Sequence, residues 1–317
     1  MTATGVTISV CMPIYNSFRY IAHAIESVLI QTRRDFELII IDDCSNDGTG
    51  EIAASFADQD TRIRFIRNVS NVGMVNNWNL CIEKASGRYI KFLFGDDLLE
   101  ADALERMAAC FDADPAVGLV ASARILIDEE SRPLETLAHF DTRIYDGTEI
   151  IKVCFLKQNN LVGEPTAVMF RKELAGRGFN KNYRQMVDLE MWFHLLDQGA
   201  CAYMRQPLCS FRVHPDQQTQ KNIVNLFHYS EFFLLMEAYI HKPYMGFSRI
   251  RACTFLFEKY YIFWKIFRNR PDHRQTAFNI ISEQYGWLRF FCFLPLYKTY
   301  NPLRKLTRKI ASAKYFF

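Results

Sequence analysis

The first 127 residues alternate short apolar runs with amphipathic segments, and this alternation restricts the fold more than any other feature. Runs such as Ile63–Arg67 and Val117–Ile127 have the length and composition of buried strands. Between them, segments such as 20–31 repeat apolar residues at helical spacing. Continuous apolar strands separated by amphipathic helices predict an α/β fold with a mostly parallel central sheet covered by helices. The predicted strands are 6–12, 36–41, 63–67, 89–94, 117–127 and 166–170, and the predicted helices are 20–31, 49–56, 75–85, 101–111, 149–156 and 188–198.

The alternation weakens after residue 127, so we divide the chain into regions 1–127, 128–220 and a helical C-terminal region, 221–317. A net charge of +3 gives no reason to expect a nucleic-acid partner. Nine scattered cysteines without a C-x-x-C pair favour reduced thiols in a cytoplasmic protein. The N-terminus lacks the features of a secretory signal, and no apolar run approaches the ~20 residues that span a bilayer. We therefore expect a protein that is not integral to a membrane.

Polar side chains follow three of the predicted strands at the point where each strand ends. Asn16 follows the first strand, Asp42 and Asp43 end the second, and Asp96 and Asp97 follow the fourth. Because ligands bind beyond the carboxyl ends of strands in such sheets, we expect these side chains to form one site.

The adjacent carboxylates Asp96 and Asp97 allow two interpretations. Neighbouring carboxylates repel each other unless a cation lies close by, and Mg²⁺ or Mn²⁺ holding a diphosphate is a common partner. Alternatively, one of them caps the helix predicted at 101–111. From these residues alone the two interpretations have equal weight.

Several motifs resemble the family 2 glycosyltransferases, which are inverting enzymes of the GT-A type that use nucleotide sugars. The resemblance covers roughly the first 215 residues. It begins with the Pro13-Ile-Tyr-Asn16 turn and continues through Glu26-Ser-Val-Leu-Ile-Gln-Thr32 and the segment 36–49, which contains Asp42-Asp43-Cys-Ser-Asn-Asp-Gly. Asn71-Val-Gly73 is similar to the next family segment. The resemblance implies a Rossmann-like GT-A fold, a nucleotide-sugar donor and a divalent cation, Mn²⁺ or Mg²⁺.

The resemblance also assigns the nucleotide side of the site. Pro13, Tyr15 and Asn16 would lie against the base, and Asp43 would accept a hydrogen bond from it. Asp42 would support the turn, although an Asx-turn made by Asp43 is an alternative to base binding. The resemblance places Asp96 near the ribose and makes Asp97 and His214 the metal ligands, with Arg212 neutralising the diphosphate. Phe94 replaces the leading aspartate of the usual Asp-x-Asp-Asp motif, which weakens the expectation of a metal.

The acceptor side is expected in region 128–220, and region 1–127 would bind the nucleotide sugar. Met186-Val-Asp-Leu-Glu-Met-Trp192 is similar to the family segment that carries the catalytic base, so Asp188 takes that position. Glu190 is the rival candidate, and Asp188 could instead be a helix N-cap. Glu164 and Trp192 are expected on the acceptor side, although Trp192 fits a core position equally well.

The C-terminal region is rich in aromatic residues, and no acidic residue follows Glu283. The run 287–296 is too short to span a bilayer, and Leu303, Leu306 and Ile310 share one helical face among basic residues. Such a segment is typical of a helix that lies on a membrane surface. Packing on a homodimer partner is the alternative.

Together these features predict a cytoplasmic inverting glycosyltransferase at the inner face of the cell membrane. It would transfer one sugar from a nucleoside diphosphate sugar, with a UDP-sugar favoured, to a hydroxyl of a glycan or lipid-linked glycan. Surface polysaccharide assembly is the expected setting. A sugar-1-phosphate nucleotidyltransferase and a non-catalytic nucleotide-sugar-binding scaffold are the two alternatives. The first should carry a glycine-rich, arginine-containing loop where this chain has Pro13-Ile-Tyr-Asn16.

Overall fold

A computed structural model describes residues 6–215 and 226–295 of the 317-residue chain. The chain forms two compact units, one within Met1–Gln218 and the other within Thr219–Phe317. Regions 1–127 and 128–220 therefore share one unit, whose strands belong to a single sheet.

The first unit alternates strands and helices as the sequence predicts. The strands are β1 (Ile8–Ile14), β2 (Phe36–Asp42), β3 (Ile63–Arg67), β4 (Tyr89–Phe92), β5 (Leu98–Leu99), β6 (Val117–Ile127), β7 (Pro133–Leu137), β8 (Arg143–Tyr145), β9 (Val168–Arg171) and β10 (Ala200–Arg212). The helices are α1 (Ile21–Leu29), α2 (Thr49–Ala57), α3 (Met74–Lys84), α4 (Ala103–Ala113), α5 (Gly147–Lys157) and α6 (Val187–Leu196).

The strands form one sheet in the order β3-β2-β1-β4-β9-β6-β10-β5, with β7 paired to β6 and β8 to β10. Along this path, within the described residues, all strands but β9 and β5 run in one direction. The mostly parallel α/β sheet is therefore confirmed. Because β9 is reversed, its first residues lie at the same edge as the carboxyl ends of β4 and β6.

The core lies on both faces of this sheet because β1 and β2 are apolar on both sides. Every residue of these two strands is buried, including the charged Asp42. On α1, the apolar face predicted from helical spacing is buried through Ile21, Ile25 and Val28. Gly87 leads into β4 where no side chain fits, since a Cβ there would lie 2.6 Å from the Ser9 nitrogen.

The long strand β10 was not predicted from the sequence. Arg205 and Pro207 interrupt its apolar pattern, and its register against β6 shifts on either side of Pro207. The strand predicted at 166–170 also differs, because Pro165–Ala167 forms a 3-10 turn and β9 starts only at Val168.

The second unit is helical over its described residues. It contains α7 (Phe227–Tyr239), α8 (Arg249–Phe267) and α9 (Pro271–Ile280), a π-helical turn at Ile281–Tyr285, and a helical segment at 287–295. Aromatic rings pack these elements together; the Phe233 and Tyr260 centroids are 4.1 Å apart, and those of Trp264 and Trp287 are 5.1 Å apart. Among the described residues, none of the helices is both long enough and apolar enough to span a bilayer. The amphipathic helix predicted around Leu303, Leu306 and Ile310 lies outside the described residues.

Candidate active site

The loops after β1 and β2 are joined at the carboxyl edge of the sheet. Asn16 adopts a left-handed backbone conformation with φ of +50°, which asparagine tolerates better than most residues. Its backbone N–H donates to Ser45 Oγ over 2.9 Å, and its side-chain oxygen accepts from the Asn46 N–H over 3.0 Å. Next to it, Tyr15 is 51% exposed, whereas Pro13 is buried inside β1. Tyr15 is therefore accessible to a ligand and Pro13 is covered by its neighbours; contact with a base stays a prediction for both.

Asp42 and Asp43 have different partners although they are neighbours. Asp42 Oδ1 accepts from the Ser45 N–H over 3.0 Å, and Asp42 Oδ2 lies 3.2 Å from Arg67 Nε. Asp42 therefore supports the turn, as predicted, by binding the N–H three residues on, whereas the partners of Asp43 lie in the segment after β3 and not in this turn.

Asp43 holds the segment that follows β3. It accepts hydrogen bonds from Asn68 Nδ2 (2.9 Å) and from the backbone N–H groups of Val72 (2.8 Å) and Gly73 (2.9 Å). A carboxylate offers about four acceptor sites, so these three donors leave one vacant, on a residue that is only 3% exposed. A role in base binding remains a prediction.

Asp96 and His214 meet at the same edge. Asp96 Oδ2 lies 3.1 Å from His214 Nε2, and both side chains are partly exposed. The His214 ring also packs against Tyr20, with the centroids 5.5 Å apart. The alternative in which Asp96 or Asp97 caps the next helix is wrong, because the N-cap of α4 is Asp102.

Asp97 is placed differently from its predicted role as a metal ligand. Its side chain is fully buried, Oδ1 accepts from the Arg212 backbone N–H over 2.9 Å, and Oδ2 accepts from the Thr166 hydroxyl. Burial and the neighbouring Asp96 raise the pKa of Asp97 well above its usual range. Because no part of Asp97 is exposed, it does not fit a metal ligand in this structure, whereas Asp96 is the accessible carboxylate of the pair.

Arg212 also departs from its predicted role in binding the diphosphate. It is 1% exposed, its Nε donates to the Asp96 carbonyl over 2.8 Å, and its Nη1 donates to the Asp128 carbonyl over 2.7 Å. The guanidinium lies over the Tyr20 ring at 4.4 Å. Arg212 therefore fixes the backbone beneath Asp96 from inside the protein.

Asp188 lies in the first turn of α6 and is partly exposed. Asn160 Nδ2 donates to Asp188 Oδ2 over 2.8 Å, and the Leu189 N–H donates to Oδ1 over 2.7 Å. Burial raises the pKa of Asp188 to about 7, and the negative charge of Glu164 adds to the rise. The N-cap of α6 is Met186, so Asp188 is not the helix cap. A carboxylate that gains and loses a proton near neutral pH has the property that a general base needs.

Glu190, the rival candidate, is neutralised by an ion pair. Arg177 Nη2 lies 3.0 Å from Glu190 Oε1 and 2.9 Å from Oε2, and the glutamate is 9% exposed. This placement favours Asp188 over Glu190 as the base.

The two residues expected on the acceptor side differ in accessibility. Trp192 is fully buried, and its indole N–H donates to the Gly163 carbonyl over 2.9 Å. It is a core residue, so the prediction of acceptor contact is wrong for Trp192. Glu164 remains partly exposed and forms an ion pair with the buried Arg124.

Sequence reasoning missed three residues that organise this site. Asn160 orients Asp188, Thr166 binds Asp97, and Lys91 is fully buried in β4 with its ammonium donating to the Thr166 carbonyl. Burial lowers the pKa of Lys91 to about 8. Lys91 stands out in the sequence because it interrupts an otherwise apolar strand, whereas no sequence pattern marks Asn160 as a site residue.

Comparisons with known proteins identify the family of the chain. Residues 9–179 match the family described as Glycosyl transferase family 2. A Bacillus subtilis protein, TuaG, named as a candidate teichuronic acid biosynthesis glycosyltransferase, is 32% identical over 215 residues, which are 67% of this chain and 81% of the relative.

Two solved structures share the fold at low sequence identity. Staphylococcus aureus TarS 1-349 in complex with UDP-GlcNAc has a TM-score of 0.63 and 15% identity, over 87% of this chain and 80% of that one. The mannosyltransferase PcManGT of Pyrobaculum calidifontis, in complex with GDP-Man and Mn²⁺, has a TM-score of 0.56 and 15% identity, over 97% and 85%. The family match covers more than half of the chain, and it confirms a glycosyltransferase over both alternative classes. This chain belongs to glycosyl transferase family 2 and is a glycosyltransferase.

Proposed function

We propose that the protein is an inverting glycosyltransferase whose base is Asp188. The observation that carries this proposal is the partly exposed Asp188 carboxylate, whose pKa is raised to about 7. Inversion requires a base on the sugar face opposite the leaving group, where it removes the proton from the attacking acceptor hydroxyl. Asn160 holds Asp188 Oδ2 in place, which leaves the carboxylate oriented before the acceptor binds.

Two side chains at the sheet edge fit a divalent cation. Asp96 Oδ2 and His214 Nε2 are 3.1 Å apart, close to the separation of about 3 Å between adjacent ligands of an octahedral Mg²⁺ or Mn²⁺. Within residues 6–215 and 226–295, no cluster of three or more His, Cys, Asp or Glu forms a metal site. Asp96 and His214 are only two protein ligands, and such a pair suits a cation that also binds substrate phosphates. Asp96 and His214 would hold the ion, which supplies positive charge to the leaving diphosphate when bound.

The donor side is formed by Tyr15, Asn16 and Asp43. Exposed Tyr15 offers a ring against a base, and Asp43 retains an acceptor site for a base N–H. We favour a UDP-sugar because uracil presents one such N–H. TarS was solved with UDP-GlcNAc and PcManGT with GDP-Man and Mn²⁺, which supports a nucleoside diphosphate sugar and a cation without choosing the base.

The proposed acceptor is a hydroxyl of a glycan under assembly, carried on a lipid. The name of TuaG, which refers to teichuronic acid biosynthesis, supports surface polysaccharide assembly as the setting. Glu164 is partly exposed and its charge acts on Asp188, so we propose that it accepts a hydrogen bond from an acceptor hydroxyl.

Asp188→Asn tests the assignment of the base. The substitution keeps the size of the side chain but removes proton acceptance, so turnover should fall by about 10²–10⁴-fold. Donor affinity should stay within about twofold, because Asp188 does not belong to the nucleotide side. Both quantities are measured with the UDP-sugar that gives the largest thermal shift in the presence of Mn²⁺.

Glu190→Gln is the matched control two residues away. It breaks the pair with Arg177, so it lowers stability but should keep turnover within about threefold. A mild Asp188→Asn together with a severe Glu190→Gln would reverse the assignment. An α-linked product from an α-linked donor, read by NMR, would contradict the inverting mechanism.

A further inference from the structure

A cleft lies at the edge of the sheet opposite the candidate active site. It has a volume of about 420 Å³ and is lined by residues of the segments 86–88 and 171–176. Segment 86–88 leads into the amino end of β4, and segment 171–176 begins at the last residue of β9, which pairs with β4 in the antiparallel direction. Asp96 follows the other end of β4. The cleft is therefore separate from the site at which we propose that the donor binds.

Three cationic side chains line this cleft, and the pairing of β4 with β9 brings them together. Tyr89 is the partner of Arg171 in the ladder, and the Lys172 N–H donates to the Arg88 carbonyl over 2.9 Å. The guanidinium groups of Arg88 and Arg171 both lie over the Tyr89 ring, with their Cζ atoms 5.4 Å and 5.6 Å from its centroid. The fold thus places Arg88, Arg171 and Lys172 side by side, although they come from distant parts of the chain.

Two of these cations are held in place by neutral partners. Arg171 Nε donates to the Val117 carbonyl over 2.8 Å, and its Nη2 donates to the Phe111 carbonyl over 3.1 Å. The Lys172 ammonium donates to the Ala85 carbonyl. Carbonyl partners fix these side chains without neutralising their charge. Among the described residues, Arg171 Nη1 and two of the three ammonium hydrogens of Lys172 remain available to a ligand.

The charge of the cleft is not balanced by the protein. Within residues 6–215 and 226–295, no carboxylate forms an ion pair with any of these three cations. The exposed Glu173 is the single acidic residue of the lining, and Asp112 accepts instead from the Tyr89 hydroxyl over 3.1 Å. A cleft lined by an excess of one sign of charge concentrates ions of the opposite sign. This cleft therefore favours an anion.

We propose that this cleft binds the phosphate group of a small soluble phosphate monoester through Arg88, Arg171 and Lys172. The planar fork of an arginine matches two oxygens of a phosphate, and a lysine adds a point charge. The volume lies within the roughly 300–1,000 Å³ of small-molecule sites, so there is room for a group attached to the phosphate. The lining consists of charged residues, glycines and one serine, so it offers no apolar side chain to an acyl chain. This inference goes beyond the proposed reaction, because it assigns a second site and depends on neither the donor nor the base.

The test is calorimetric titration of the full chain with inorganic phosphate and with glucose 6-phosphate, at constant ionic strength and without added metal. Arg88→Gln combined with Lys172→Gln should weaken the binding of both probes by ~10–100-fold, because each substitution removes a charge-assisted hydrogen bond. Lys157→Gln combined with Arg205→Gln is the matched control. It removes the same charge from exposed positions elsewhere in the first unit, so affinity should stay within about twofold. Acetate, which lacks the third oxygen, should bind the unmodified protein more weakly than phosphate.

A second measurement does not depend on the folding of a variant. Phenylglyoxal should modify the exposed Arg88 of the unmodified protein, and phosphate should slow this modification, as located by mass spectrometry. Modification of the exposed Arg205 should keep its rate.

Three results would overturn the proposal. The first is a phosphate affinity that is equal in the unmodified protein and in the Arg88→Gln, Lys172→Gln variant. The second is a modification of Arg88 that phosphate does not slow. The third is sedimentation with phosphatidic acid vesicles by a protein that does not bind glucose 6-phosphate, because the ligand would then be a lipid headgroup.

Discussion

Removal of the Asn160 amide should move the pH dependence of the reaction upward. The amide donates to Asp188 Oδ2 over 2.8 Å and so favours the charged form of a carboxylate whose pKa is about 7. A hydrogen bond to a charged group contributes roughly 1.5–3 kcal/mol. One pKa unit corresponds to about 1.36 kcal/mol, so full loss would raise the pKa by ~1–2 units. In Asn160→Ala a water molecule can replace part of this hydrogen bond, so we expect the pKa of Asp188 to rise by about 1 unit.

The assay is kcat/KM for sugar transfer between pH 5.5 and pH 9.5. Because the base must be deprotonated, kcat/KM should rise with pH and reach half its plateau near the pKa of Asp188, about 7 in the unmodified enzyme. For Asn160→Ala the midpoint should lie near pH 8. At pH 7 the kcat/KM of Asn160→Ala should then be about 5-fold below that of the unmodified enzyme, and most of this difference should disappear at pH 9.

The exposed neighbour Asn159 provides the control, because Asn159→Ala should leave the midpoint unchanged. Asn160 also accepts from the Val162 and Gly163 N–H groups, so its loss could simply loosen the segment. That structural effect would lower activity equally at all pH values. An unmoved midpoint, or one that moves to lower pH, would refute the reasoning.

Four further substitutions test the site and the sheet that carries it. Glu164→Gln removes a negative charge that raises the pKa of Asp188, so the midpoint of kcat/KM should move below pH 7. Asp96→Asn should weaken Mn²⁺-dependent donor binding by ~10-fold or more in calorimetry, because it removes an exposed ligand; Asp97→Asn should change it by less than about threefold. Gly87→Ala places a Cβ 2.6 Å from a backbone nitrogen of β1, so the free energy of unfolding in urea should fall by roughly 1–3 kcal/mol.

The sequence predicts most of the first unit because its local patterns agree with the final fold. The strands Ile63–Arg67 and Val117–Ile127 have the predicted bounds, and the other predicted elements up to residue 127 differ by a few residues at their ends. Strand β10 escapes prediction because its stability comes from pairing with β6, more than 80 residues earlier, and not from its own interrupted pattern. The reversed direction of β9 is likewise a long-range property, and no local signal carries it.

In the site as well, the sequence identifies the residues but does not tell which way their side chains point. Motifs identify the pair Asp96 and Asp97, but only the fold decides that Asp96 faces outward while Asp97 is held inside by Thr166. Asn160 lies 28 residues from Asp188, and that distance hides their hydrogen bond from any reading of local sequence. Motif similarity therefore locates the site in the sequence, but the role of each residue follows only from its contacts in the folded chain.

The reversed strand β9 also ties the two sides of the reaction together mechanically. The turn that leads into it, Pro165–Ala167, is anchored to β4 through Lys91 and to Asp97 through the Thr166 hydroxyl. Just before this turn, Glu164 pairs with Arg124 of β6 and adds to the field around Asp188. The short turn is therefore bonded to the residue next to Asp96 and directly follows a residue whose charge acts on Asp188, so its position fixes the spacing between the proposed cation side and the proposed base.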